Sequence, residues 1–119
     1  MKKIIFLTLT IMMFLFVGCG IQNQLANTKW QMLETTQYYS TITSYEFKEN
    51  GELIEIETVT VAEESETYDP EKGKWFYTDN TLFIEGTNLD GYYTVEMKKD
   101  EMLLTQEQSY FLIKLTKIN

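Results

Sequence analysis

From Thr28 onward the chain is a succession of short segments rich in Tyr, Phe, Trp, Ile, Val and Thr, broken by turn-forming residues, with no sustained helical period. Branched and aromatic side chains of this kind pack well on a pleated surface, so the segments predict strands. Eight are legible: Lys29 to Thr35, Tyr39 to Phe47, Leu53 to Val61, Lys74 to Thr78, Thr81 to Glu85, Tyr92 to Met97, Met102 to Thr105 and Tyr110 to Lys117. Glu49-Asn50-Gly51-Glu52 and Thr78-Asp79-Asn80-Thr81 supply residues that tolerate positive φ, as tight hairpins require, and Lys98-Lys99-Asp100-Glu101 is a charged turn of similar length. Each turn joins strands adjacent in sequence, which makes an antiparallel up-and-down meander. Open strand edges invite aggregation, and closure into a barrel removes them. The expected class is therefore all-β, an eight-stranded antiparallel meander closed into a small barrel, with an open sandwich as the second solution.

Alternation along the strands predicts which side chains point inward. The third segment sets Ile54 and Ile56 against Glu55 and Glu57, which assigns the isoleucines to the core and the glutamates to water. Val59 and Val61 then fall on the wrong parity, and a bulge near Thr58 returns them to the inside. The acidic stretch from Glu63 to Glu71, which holds the single proline, Pro70, reads as a long exposed loop. Trp30, Trp75, Tyr77, Tyr93, Leu82, Ile84 and Leu112 form the inward set. At native packing density they fill most of a short barrel, leaving no large closed cavity and at most a shallow pocket at the open end. Trp30, Phe47, Trp75, Tyr77 and Tyr93 are the residues that would line a ligand cavity if one exists, and core filling is the ordinary role of such aromatics.

The first residues obey different rules. Lys2 and Lys3 lead into an almost unbroken apolar run of fourteen residues from Ile4 to Val17. A membrane-spanning helix needs about 20. A basic start, a short apolar centre and a small residue at the end are the parts of a cleavable signal peptide. Phe16-Val17-Gly18-Cys19 resembles the bacterial lipobox, in which lipid is added to a cysteine that becomes the new N-terminus after cleavage. The resemblance implies a signal peptide over residues 1–18, a lipidated Cys19 with a short tether over residues 19–27, and a domain over residues 28–119. It also implies a place in the bacterial cell envelope, lipid-anchored to a membrane. Eight extended tether residues reach at most about 28 Å. Cys19 is the only cysteine, so no disulfide forms within the chain.

Charge narrows the partners. Ten lysines face eighteen acids, and loss of Lys2 and Lys3 with the signal leaves eight lysines and a net charge of −10. Nucleic acid requires clustered cations, so nucleic-acid binding is set aside. There is no Arg, no His and no second Cys, which removes the usual general bases, thiolate nucleophiles and zinc ligands. No metal, cofactor or catalytic residue is expected. The acids Glu63, Glu64, Glu66, Asp69 and Glu71 do not follow the spacing of a calcium loop and read as solvated charge.

The order of Trp30 in the first strand, Phe47 followed by Asn50-Gly51, Gly73-Lys74-Trp75, Asn80 before Thr81-Leu82, and a closing strand with Leu112, Leu115 and Lys117 resembles the small lipocalin-like lipoproteins of bacteria. The resemblance implies a calycin-type barrel behind a lipidated cysteine. The expected function is a membrane-anchored, non-enzymatic binding or interaction module. Two alternatives stand beside it: a carrier of a small apolar ligand, and an inhibitor or accessory subunit of an envelope enzyme. The identity of the protein or small-molecule partner, and the oligomeric state, stay open at this point.

Overall fold

The computed structural model describes residues 21, 24–106 and 112–118. Among the described residues nine strands follow one another: β1 (Thr28–Thr35), β2 (Ser40–Phe47), β3 (Glu52–Val61), β4 (Glu64–Thr67), β5 (Glu71–Thr78), β6 (Thr81–Glu85), β7 (Gly91–Lys98), β8 (Glu101–Thr105) and β9 (Leu112–Ile118). All pairings are antiparallel. β1 pairs with both β2 and β9, and β2 with β3, so eight strands close into the expected barrel.

The ninth strand, β4, corrects the reading of Glu63 to Glu71 as a loop. β3 is long enough to serve two partners: Glu52 to Glu55 pair with β5, and Thr58 to Val61 pair with β4. Ala62 and Glu63 turn the chain with φ of 50° and 70°. Two consecutive positive-φ residues match the twist of a hairpin. Hydroxyl pairs Thr58–Thr67 and Thr60–Ser65, at 3.0 and 2.7 Å, link the two strands. β4 is exposed along its whole length, so no apolar alternation marked it in the sequence.

The parity of β3 is a second correction. β2 and β3 pair without interruption from Ser40↔Thr60 to Phe47↔Leu53, so there is no bulge at Thr58. Residues facing each other across a ladder share a side, which puts Leu53, Glu55, Glu57 and Val59 inside, opposite Phe47, Tyr45, Thr43 and Thr41. Ile54 and Ile56 face out. A slip of one residue would move the whole strand to the other face. It would turn the two isoleucines inward and expel Leu53 and Val59 together with the interior partner of the β6–β7 loop, Glu55, and the local Ile/Glu pattern is overruled.

The interior divides in two. Leu25, Trp30, Phe47, Leu53, Trp75, Leu82, Met102, Leu104 and Leu115 fill one end, all 4% exposed or less. The Trp75 indole N–H donates to the Lys48 carbonyl at 2.9 Å, and its ring meets Phe47 edge-on with centroids 5.4 Å apart. Of the predicted inward set, Trp30, Trp75, Leu82, Ile84 and Tyr93 are buried and Tyr77 is partly buried against them. Leu112 is 59% exposed, a third correction, because in β9 Ile113 and Leu115 take the inward parity.

The filled end also receives the N-terminal segment. Gln24 and Leu25 are helical, Leu25 is fully buried, and Ile21 and Ala26 pack against the core. Residues 24–27, read as the end of a tether, thus belong to the folded unit. Asn27 adopts φ 61° and fastens this entry, accepting from the Glu49 N–H at 3.3 Å and donating its side-chain amide to the Glu49 carboxylate at 3.2 Å. The signal peptide and Cys19 lie outside the described residues. Among the described residues no helix is long and apolar enough to cross a membrane.

Candidate functional site

At the opposite end the inward residues change character. Continuing along each strand from the filled end, β1 presents Trp30, Met32 and Glu34, β2 presents Tyr45, Thr43 and Thr41, and β3 presents Glu55, Glu57 and Val59. An open cavity of about 520 Å³ occupies this mouth. Met32, Glu34, Tyr39, Thr41, Thr43, Tyr45, Glu57, Val59 and Val61 line it from β1 to β3, Asn88 and Leu89 from the β6–β7 loop, and Ile113 from β9. Five of these twelve residues are apolar, six carry a hydroxyl or carboxylate and Asn88 an amide, and among the described residues no lysine lines the mouth.

The floor is built by the β6–β7 loop, which dips into the barrel. Asp90 accepts from the Gly86 N–H at 3.0 Å, and the Thr87 hydroxyl accepts from the Leu89 N–H at 3.2 Å. Tyr93 donates its hydroxyl to the Leu89 carbonyl at 2.6 Å from one side. Glu55 holds the loop from the other, accepting from the Asn88 N–H at 3.1 Å. Glu55 is only 3% exposed, so its expected wet-face position is corrected: it is a loop anchor at the base of the mouth. Burial pushes its carboxyl above the ordinary carboxylate range. The Tyr45 hydroxyl and the Asn88 N–H pull it back, and the neighbouring Glu71 carboxyl pushes it further up.

Tyr45 is the anomaly. Its side chain is fully buried and its hydroxyl makes no hydrogen bond of good geometry, although the Glu55 and Glu57 carboxylates act on it. Burial, reinforced first by Glu55, drives its ionisation well above the ordinary tyrosine range, so it is a neutral phenol. The large majority of buried side-chain polar atoms find a partner, which makes this hydroxyl a position that a ligand could complete.

The five aromatics singled out in the sequence do not converge on the mouth. Trp30, Phe47 and Trp75 pack in the filled end, Tyr77 lies against that core, and Tyr93 braces the floor from beneath. The mouth residues Tyr45, Glu57, Thr41 and Thr43 carried no sequence signal as a group, because they come together only through the β2–β3 register. Gly86-Thr87-Asn88-Leu89-Asp90-Gly91 was the one local hint, a run of turn formers interrupted by a leucine.

The outer wall carries a second feature. Phe76, Phe83 and Tyr92 stand side by side on β5, β6 and β7, with ring centroids 4.7 and 5.3 Å apart. Phe76 and Tyr92 are 54% and 69% exposed. No protein-family model matches the chain, and no curated protein matches it in sequence.

Proposed function

We propose that the chain is a lipoprotein of the bacterial cell envelope, held to a membrane through lipid on Cys19, whose lipocalin-like barrel is a non-enzymatic binding module with its ligand site in the acidic mouth. What supports this reading is the division of the interior: one end packed solid, the other an open cavity over a buried phenol that makes no hydrogen bond of good geometry. The path of the chain agrees with it. The N-terminal segment enters at the packed end, and only four residues separate Cys19 from Gln24, five chain steps of at most about 18 Å in all. An anchor at Cys19 keeps the packed end near the bilayer and turns the mouth away from it.

The inward Glu34 and Glu57 weigh against a carrier of apolar molecules, whose site is mostly hydrophobic. The row Phe76, Phe83 and Tyr92 favours the inhibitor or accessory-subunit reading as the second choice, because exposed aromatic groups in contact mark protein interaction sites. The test is native mass measurement on protein taken from its own membranes, as wild type and as Val59→Trp, which fills the mouth. A bound small molecule present in the first and lost in the second supports the proposal. The same mass in both, or none in either, refutes the mouth as a small-molecule site.

A further inference from the structure

Resting on the reading of the mouth as a binding site, we propose that its ligand is a small aliphatic amine, with its ammonium group between the Glu57 carboxylate and the Tyr45 hydroxyl and its hydrocarbon body along Val59 and Ile113. Three observations converge on that chemistry.

The charge is first. Glu57 is half-buried in the lining, Glu34 stands at the rim, and neither forms an ion pair among the described residues. A partly desolvated carboxylate without a counter-ion favours a cation beside it. Anionic ligands such as fatty acids or phosphates meet the charge of Glu34 and Glu57 with no lysine of the described lining to offset it.

The hydrogen bonds are second. An ammonium carries three donors and no acceptor. The mouth offers three acceptors: the Glu57 carboxylate, the Tyr45 hydroxyl, which makes no hydrogen bond of good geometry, and the hydroxyl of Thr43, which faces Glu57 directly across the β2–β3 ladder. Among the described residues no three acidic side chains converge as ligands of a metal ion do, so the donor set suits an organic cation.

The wall is third. Met32, Val59, Val61, Leu89 and Ile113 supply apolar surface around the polar centre, which suits a ligand with one charged head and an alkyl body. A bare inorganic cation would leave that surface unused.

The test is calorimetric titration of the full chain in non-ionic detergent with n-hexylamine, and with 1-hexanol and hexanoate as probes of equal length. The expected result is saturable hexylamine binding at least about tenfold tighter than either control, the scale of one charge-assisted hydrogen bond. Glu57→Gln should weaken it by about tenfold, and Tyr45→Phe and Thr43→Val should each weaken it measurably. All three variants are close to isosteric, and circular dichroism confirms that each is folded. Hexylamine binding that none of the three alters places the amine elsewhere and overturns the proposal. Hexanol or hexanoate binding as tightly as the amine, and lost in Val59→Trp, overturns the amine while leaving the mouth as a site. No saturable response to hexylamine overturns the amine assignment, and the mass comparison of wild type with Val59→Trp then decides the fate of the mouth itself.

Discussion

At the scale of single residues, the mouth owes its character to two side chains that a core would ordinarily reject. Tyr45 buries a hydroxyl without a good partner, and such a group costs about 1–3 kcal/mol. Tyr45→Phe removes the orphan and keeps the ring, so it should stabilise the unliganded barrel by about 1 kcal/mol in urea unfolding while weakening any ligand of the mouth. A variant less stable than wild type would show that the hydroxyl is satisfied. Glu55 yields a prediction in pH. Its folded carboxyl is raised above the ordinary 4.5, chiefly by burial, so the folded state holds a proton that the unfolded chain has released. Stability at this position is therefore fullest below that ordinary value, falls as pH rises toward the raised folded value, and stays lower above it. Glu55→Gln keeps an acceptor for the Asn88 N–H and removes the titration. It should be near neutral at about pH 4 and stabilising at about pH 8. A pH-independent difference between the two proteins would contradict this account.

At the scale of elements, β3 shows why local alternation misleads. Ile54-Glu55-Ile56-Glu57 read alone assigns isoleucine to the core, yet the strand is a ten-residue unit whose parity is shared with β2. Its uninterrupted pairing with β2 sets Leu53 opposite Phe47 and fully buried, a side chain worth roughly 1.5–3 kcal/mol inside, while Ile54 and Ile56 keep only partial burial on the other face. β5 shows a complementary constraint. A Cβ on Gly73 would collide with the Glu85 carbonyl oxygen and lie 2.8 Å from the Thr87 methyl, because β5 passes closely beside the end of β6. The obstacle includes backbone and cannot rotate away. Gly73→Ala should cost about 1–3 kcal/mol, the usual range for overpacking, and should loosen the β6–β7 loop that floors the mouth. Denaturant unfolding checks the first, and amide exchange at Asn88 and Leu89 the second. Wild-type stability in that variant would mean that the strands separate without penalty.

At the scale of the whole molecule, the packed end is where the chain enters and the mouth is where it can meet something. Leu25 ties the two descriptions together. If residues 24–27 were a free tether, Leu25→Ala would be silent. Because the side chain is fully buried, the substitution should cost about 2–5 kcal/mol, readable as a lowered unfolding midpoint. Anchoring belongs to the same scale. Cys19→Ala should leave the barrel intact and abolish lipid addition, so that the protein is no longer processed and lipid-anchored. A correctly cut variant that stays firmly in the membrane fraction would count against the anchor. The tryptophans lie at the packed end, so their emission should respond to unfolding and hardly at all to a ligand of the mouth.

The amino-acid order by itself was enough to determine the class, the meander and the places of most strands. Hairpin residues such as Asn50-Gly51 and Asp79-Asn80 act through their own backbones, and the aromatic and branched segments need only a pleated surface. It also placed Trp30, Trp75, Leu82 and Tyr93 inside, because large apolar side chains leave water wherever the chain permits. It did not determine the parity of β3, the β4 hairpin, the burial of Leu25 or the grouping of Tyr45, Thr43 and Glu57. Those depend on which residues face each other across ladders, a property of pairs distant in sequence. The mouth exists because barrel closure forces glutamates, threonines and a tyrosine to share one interior face. No segment of the chain shows that on its own, since register is a collective choice made by the whole sheet.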